Sequence, residues 1–156
     1  MIVRAAVLPD ESATLALGKA LAGVLIPGLK IYFHGNLGAG KTTLVRGLLR
    51  GLGYTGKVKS PTYTLVELYR FSSLYLYHFD FYRFADPQEW QDAGFREYFG
   101  AESVCVVEWP EKTGGLLPAP DIEIALRVAG SGRHGELRAG TEAGRQCLEK
   151  LQIKTG

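Results

Sequence analysis

The segment Gly35-Asn36-Leu37-Gly38-Ala39-Gly40-Lys41-Thr42 constrains this chain more than any other. It fits G-x-x-x-x-G-K-[ST], the pattern of a loop that joins a strand to a helix and wraps phosphate. Its glycines let the backbone curl so that successive N–H groups converge on an anion. The helix that begins there adds the positive end of its dipole. Lys41 is placed to reach the β- and γ-phosphates of a nucleotide. The Thr42 hydroxyl is placed to bind Mg²⁺, with Thr43 beside it in the same helix start. The expected ligand is therefore a magnesium-bound nucleoside triphosphate.

The flanking pattern suits such a loop. Residues 10–26 read as a helix capped by Asp10 or Ser12, with Leu17, Leu21 and Val24/Leu25 at helical spacing. Pro27-Gly28 ends it. Residues 29–33 form a short apolar run that leads into the glycines. A second helix starts near Gly40, carries Leu44, Val45, Leu48 and Leu49, and stops at Gly51 and Gly53. Residues 62–71 and 74–82 read as two strands joined through Ser72-Ser73, apolar on both faces and so covered on both sides. Asp86-Pro87-Gln88-Glu89 starts a helix with Trp90, Ala93/Gly94 and Tyr98 on one face. Residues 103–108 and 121–129 read as strands, 131–135 as a turn and 136–140 as a short strand. A last helix runs from Thr141 to about Leu151. This order predicts a single domain over residues 1–156. Its fold class is α/β, a P-loop NTPase-like sheet with helices on both faces and an antiparallel β-hairpin insertion.

Composition narrows the function class. Hydrophobic residues make up 46% of the 156 residues, as a folded domain requires. No apolar stretch approaches the roughly 18 residues of a membrane span. The start Met1-Ile2-Val3-Arg4 shows no signal-peptide pattern, so cytoplasmic residence is expected. The net charge of +2 is too small to argue for nucleic acid by itself. Cys105 and Cys147 read as packed thiols, and the histidines and cysteines lack zinc-ligand spacing.

A P-loop needs a second acid near its metal. Asp80 ends the run Tyr77-His78-Phe79-Asp80, and Glu108 ends Val104-Cys105-Val106-Val107-Glu108. Glu108 has the better form, because a helix precedes its strand and a right-handed crossover lays that strand parallel to the P-loop strand. The direction of the Asp80 strand stays open. Guanine-specific P-loop proteins read their base with an Asn-Lys-x-Asp loop. Asn36 is the sole asparagine here, so ATP is expected over GTP.

The P-loop stands with Ser60-Pro61-Thr62-Tyr63-Thr64-Leu65, with His78-Phe79-Asp80-Phe81-Tyr82-Arg83 and with Glu108-Trp109-Pro110-Glu111-Lys112. In this order and at this length the chain resembles the TsaE (YjeE) family over roughly residues 10–130. Those are small bacterial P-loop ATPases needed for threonylcarbamoyladenosine (t6A) at position 37 of tRNAs that read codons beginning with A. The resemblance implies a Mg²⁺-dependent ATPase, slow alone and stimulated by partners, that resets the threonylcarbamoyl-transfer complex. It implies that Lys41, Asp80 and Glu108 are catalytic, and that Thr42, Glu108 and Asp80 hold the metal. It implies a switch loop at Ser60, Pro61, Thr62, Tyr63 and Thr64, and Trp109 beside a nucleotide held by residues 35–43. The implied partners are the threonylcarbamoyltransferase subunit and its inactive paralogue, of TsaD and TsaB type. Contact with tRNA would be indirect or weak, and none with membrane is implied.

Several readings of the residues remain beside it. The aromatics from Tyr63 to Tyr82 could stack bases, but they also suit strands and a core, and the core reading is preferred. Arg83 could act as an arginine finger, although a salt bridge is the plainer expectation. A small-molecule kinase would need arginines over the phosphates, and Arg133 and Arg138 lie too far along the chain to place. A non-catalytic nucleotide-dependent interaction module would show the same P-loop.

Overall fold

The computed structural model describes residues 2–72 and 74–153. Met1, Ser73 and residues 154–156 of the expected single domain lie outside the described residues, and with Ser73 so does half of the expected Ser72-Ser73 connection.

The chain runs β1 (Val3–Leu8), α1 (Glu11–Ala22), β2 (Lys30–His34), α2 (Lys41–Gly51), β3 (Val66–Arg70), β4 (Tyr75–Asp80) and α3 (Gln88–Ala93). It continues through β5 (Ser103–Glu108), β6 (Ile122–Ala129), β7 (Gly132–Ala139) and α4 (Glu142–Lys150). One seven-stranded sheet takes the order β1-β7-β6-β2-β5-β4-β3. Its centre, β6-β2-β5-β4, is parallel; β7 runs antiparallel beside β6 and β3 antiparallel beside β4, while the edge strand β1, antiparallel to β7, again runs in the direction of the centre. The fold is the expected α/β P-loop NTPase-like sheet.

Alternation along the strands sends side chains to two different layers. On one face Ile31, Phe33, Val104, Val106, Ile122 and Ile124 pack with Leu17 and Leu21 of α1, Leu44 and Leu48 of α2 and Leu148 of α4. On the other face Tyr32, Phe79, Cys105 and Val107 pack with Phe81, Phe84 and Trp90. The aromatics of β4 and its sequel thus stack on one another as core, Phe79 lying 5.1 Å from Phe99 and Phe81 4.9 Å from Phe84. α1 and α2 approach closely because Gly18 and Gly47 face the partner helix. A Cβ at Gly18 would lie 2.3 Å from Leu44 O, and one at Gly47 2.3 Å from Leu15 O. That contact fixes where the first turn of α2 sits.

Several boundaries differ from expectation for identifiable reasons. The edge strand β1 has no counterpart in the sequence reading, because Val3, Ala5 and Val7 point outward and mask its alternation. α1 spans Glu11–Ala22 rather than residues 10–26, with Asp10 as its cap accepting from Ala13 N at 2.8 Å. Residues 62–65 form a turn, so β3 begins at Val66. As an edge strand it is only partly covered, with Leu68 and Arg70 exposed, and the hairpin is not sheathed on both sides. α3 stops at Gly94, and Tyr98 belongs to a separate 3-10 turn, so Trp90 and Tyr98 share no single helix face. The turn expected at 131–135 is a two-residue turn at Gly130-Ser131, and β7 runs the full length of β6. No described helix is long and apolar enough to cross a membrane.

Candidate functional site

β2, β4 and β5 run parallel, so their C-terminal ends open on one side of the sheet, where ligands collect in such folds. The chain leaving β2 forms the glycine loop. Gly35 sits at φ +150°, and a Cβ there would meet Leu126 O at 2.6 Å. Only glycine fits that bend. Gly40, also in a left-handed conformation, delivers the chain into α2, whose first bond runs from Leu44 N to Gly40 O at 2.9 Å. The α2 N-terminus carries no capping side chain, which leaves its first N–H groups to an anion.

A cleft of about 500 Å³ lies over this loop. Leu37 to Thr43 line it, with Ser60, Thr62, Asp80, Glu108 and Trp109, and the start of α1 and residues 131–133 close it, so six separated parts of the chain meet there. Gly35 and Asn36 form the base of the loop beneath it; Pro61, Tyr63 and Thr64 do not line it.

Lys41 is buried, 5% exposed, and its Nζ donates to Gly35 O at 2.5 Å while lying 3.7 Å from the centre of the Trp109 ring. Burial pushes the Lys41 pKa down, against the pull of Glu108, Glu111 and Asp80. Trp109 is held at φ +59°, an uncommon conformation for a bulky side chain. It is half-buried, touches Tyr82 at 5.0 Å and lines the cleft, so it serves packing and the site together.

Parallel register places Asp80 directly opposite Glu108, and Glu108 opposite Phe33 at the end of the P-loop strand. This fixes the direction of the Asp80 strand, which the sequence left open. Both carboxylates are buried, and like charges so placed repel. Burial raises the Asp80 pKa and the Glu108 charge adds to the rise, while the Tyr82 N–H (2.9 Å) and the Thr62 hydroxyl (3.2 Å) pull it down. The Thr42 hydroxyl lies 3.3 Å from each oxygen of Glu108. His78 Nε2 contacts Glu108 Oε2 at 2.5 Å.

The segment Ser60–Leu65 reaches the cleft through hydroxyls. Thr62 has one proton and gives it to Asp80, so Ser60 donates to Thr62 at 2.8 Å. Thr64 turns away to Glu67, and Tyr63 is 80% exposed under the Arg83 guanidinium, 4.1 Å from the ring centre. Arg83 thus stacks on Tyr63, and among the described residues it forms no salt bridge of the kind expected of it. Leu65 stands at φ +71° and accepts from the backbone N–H of Asp80 at 3.0 Å, which ties the end of the segment to the backbone of β4.

Two side chains belong to this site that sequence reasoning did not assign to it. Arg133, on β7, donates from Nη2 to Gly38 O at 2.9 Å and from Nε to Ala39 O at 3.1 Å, clamping the loop from the far end of the chain. Asp10, read only as a helix cap, also lines the cleft.

The oxygens of Thr42, Glu108 and Asp80 are the hard donors that magnesium takes. Among the described residues no three His, Cys, Asp or Glu side chains form a metal cage of their own. Magnesium takes one or two carboxylates and completes its shell with phosphate and water.

Comparison with known proteins is consistent with this geometry. A family model described as "Threonylcarbamoyl adenosine biosynthesis protein TsaE" matches residues 8–136, past residue 130 where no motif was read. A Haemophilus influenzae protein named "tRNA threonylcarbamoyladenosine biosynthesis protein TsaE" is 45% identical over 146 residues, covering 90% of this chain and 92% of its own. A Bacillus subtilis protein of the same name is 42% identical, covering 78% of this chain and 75% of its own. The crystal structure of Bacillus subtilis YdiB superposes with a TM-score of 0.80 at 32% identity, covering 96% of this chain and 93% of that one.

Proposed function

The chain belongs to the TsaE family, and from that premise we propose that it is the Mg²⁺-dependent ATPase subunit of the machinery that makes t6A at position 37 of tRNA. Its relatives' names support the pathway. The convergence of Lys41, Thr42, Glu108 and Asp80 on one cleft over the P-loop carries the chemistry.

In this reading the loop amides and the α2 N-terminus bind the phosphates. Lys41 exchanges its contact with Gly35 O for the β- and γ-phosphates, so it is already aimed when nucleotide arrives. Thr42 and Glu108 hold magnesium or its waters, and Asp80 flanks them. The metal when bound neutralises phosphate charge and relieves the repulsion between the two carboxylates. Thr62 reports on the γ-phosphate by keeping or giving up its bond to Asp80. Trp109 packs over Lys41 beside the nucleotide. ATP is preferred over GTP. The cycle resets a complex formed with proteins of TsaD and TsaB type, and tRNA is met through them. The setting is cytoplasmic.

The kinase reading is weaker on the same geometry. Arg133 is committed to loop carbonyls and cannot double as a lid arginine over phosphates without leaving them.

The test is phosphate release from ATP by the purified chain with and without magnesium, then with the partner proteins and tRNA. Slow magnesium-dependent release that the partners change is expected. Rapid phosphorylation of a metabolite by the chain alone, or a clear preference for GTP in competition, would overturn the reading.

A further inference from the structure

We propose that His78 is a positioning residue: it grips one oxygen of Glu108 so that the carboxylate keeps a fixed orientation toward Thr42 and the cleft. The inference rests on the magnesium-nucleotide reading of this site.

β4 and β5 are parallel, with His78 opposite Val106. Glu108 lies two residues further along the neighbouring strand, on the same face, so the two long side chains meet diagonally. His78 is wholly buried, and Glu108 is nearly so. A carboxylate offers acceptors only, so the proton in the 2.5 Å contact is the one on His78 Nε2.

The contact does something that no other neighbour does. The terminal torsion of a glutamate is broad and two-fold, so an unanchored carboxylate can turn. The Thr42 hydroxyl cannot stop that turn, because it sits 3.3 Å from both oxygens and favours neither. Among the described residues the bond to Oε2 is the one that distinguishes them, and it leaves Oε1 to Thr42 and the cleft.

A purely space-filling role does not explain the residue. His78 Nδ1 is buried and has no hydrogen-bond partner among the described residues. Leucine or phenylalanine would fill such a space without leaving a polar nitrogen bare. The uncompensated nitrogen is understandable if the opposite nitrogen holds an acid in place.

The test compares His78→Phe with His78→Gln, whose amide can donate from a similar reach, each alone and combined with Glu108→Gln. His78→Leu serves if phenylalanine is not accommodated. Two readouts are taken: calorimetric binding of a non-hydrolysable ATP analogue across a magnesium titration, and kcat and KM for ATP.

His78→Phe is expected to leave analogue binding without magnesium unchanged, to raise the magnesium needed for half-effect about tenfold, and to lower kcat about tenfold with little change in KM. His78→Gln should recover most of both losses. In the Glu108→Gln background His78→Phe should change neither readout, because the oxygen it positions has lost its charge. An unchanged magnesium requirement in His78→Phe overturns the proposal. So does an equal loss in the Glu108→Gln background, which marks a general packing defect, or analogue binding by the unsubstituted protein that ignores magnesium. If the unsubstituted protein responds to magnesium but releases no phosphate under any condition, the ATPase reading fails while the titration still decides the role of His78.

Discussion

Two segments line the same cleft and are held there by different kinds of bond. The P-loop is gripped at its backbone: Gly35 is wedged under Leu126, Gly40 O accepts the first bond of α2, and the Arg133 guanidinium donates to the carbonyls of Gly38 and Ala39. The segment Ser60–Leu65 enters the cleft on two hydroxyls in series that end on the Asp80 carboxylate, and only its far end, at Leu65 O, is held by a backbone N–H, that of Asp80. A loop fixed by backbone can bind an anion without rearranging, because its donors are already aimed. The part of a loop that is fixed by hydroxyls can be released by whatever competes for one acid, while its backbone-bonded end stays in place. The first geometry suits binding, and the second suits reporting what is bound.

Substitutions can break this contrast, and the largest effect is expected at Lys41. Lys41→Ala removes a charged donor aimed at the phosphates and should lower turnover about a hundred- to a thousandfold. It should weaken ADP as well as ATP, because the contact with the β-phosphate is lost in both. The fold should survive, since the ammonium supports the site rather than the core. Calorimetry with both nucleotides checks this, and unchanged binding would end the P-loop account.

Gly35→Ala acts on the frame. It demands an unfavourable φ and drives a Cβ into Leu126 O, so a loss of about 1–3 kcal/mol in stability is expected. Thermal unfolding would show a midpoint lower by several degrees. A variant as stable as the original would mean that the loop is more pliable than its contacts indicate.

Thr62→Val tests the other side. It keeps the shape and removes the hydroxyl that joins Ser60 to Asp80. Affinity for ADP should stay the same, and the preference for ATP over ADP should fall by less than about tenfold, the scale of one hydrogen bond. If ADP binding weakens as much as ATP binding, the segment is part of the cradle and the contrast fails.

The same difference decided what could be read from the sequence. The P-loop is contiguous, and each of its residue types answers a local demand of phosphate geometry, so its place between strand and helix was legible. Glu108 was legible as an acid at the end of an apolar run. The Ser60–Leu65 segment was harder. Its Thr62, Tyr63 and Thr64 read as the start of a strand at residue 62, whereas the bond from Leu65 N to Pro61 O and the left-handed turn at Leu65 hold those residues out of the sheet. Arg133 could not be placed, because it meets the loop 94 residues away through the register of β7 on β6. The pairing of His78 with Glu108 likewise exists only once β4 is known to run parallel to β5.

Asp80 joins the two segments, and its substitution gives the smallest and most diagnostic effect. Burial, reinforced by the facing Glu108, raises its pKa above the ordinary 3.8. Between 3.8 and the raised value the folded chain holds more protons at this site than the unfolded chain. Stability without ligand therefore falls as pH rises through that window, and the cost is complete above it. Asp80→Asn removes the charge but keeps an oxygen for the Tyr82 N–H and an amide that can donate to Thr62. At neutral pH and without magnesium the variant should unfold at a slightly higher urea concentration than the original protein. The advantage should shrink as pH is lowered towards 3.8 and the original carboxyl takes up its proton in the fold. Magnesium with nucleotide should reverse the order, because only the carboxylate gains from a nearby cation. Urea titrations of both proteins across this pH range, with and without the magnesium complex, measure each sign. An original protein that gains stability on the variant as pH rises, in the absence of metal, would show that Asp80 is already compensated by its neighbours. The acid would then be a fixed anchor for Thr62, and the segment would lack the strained partner that lets it release.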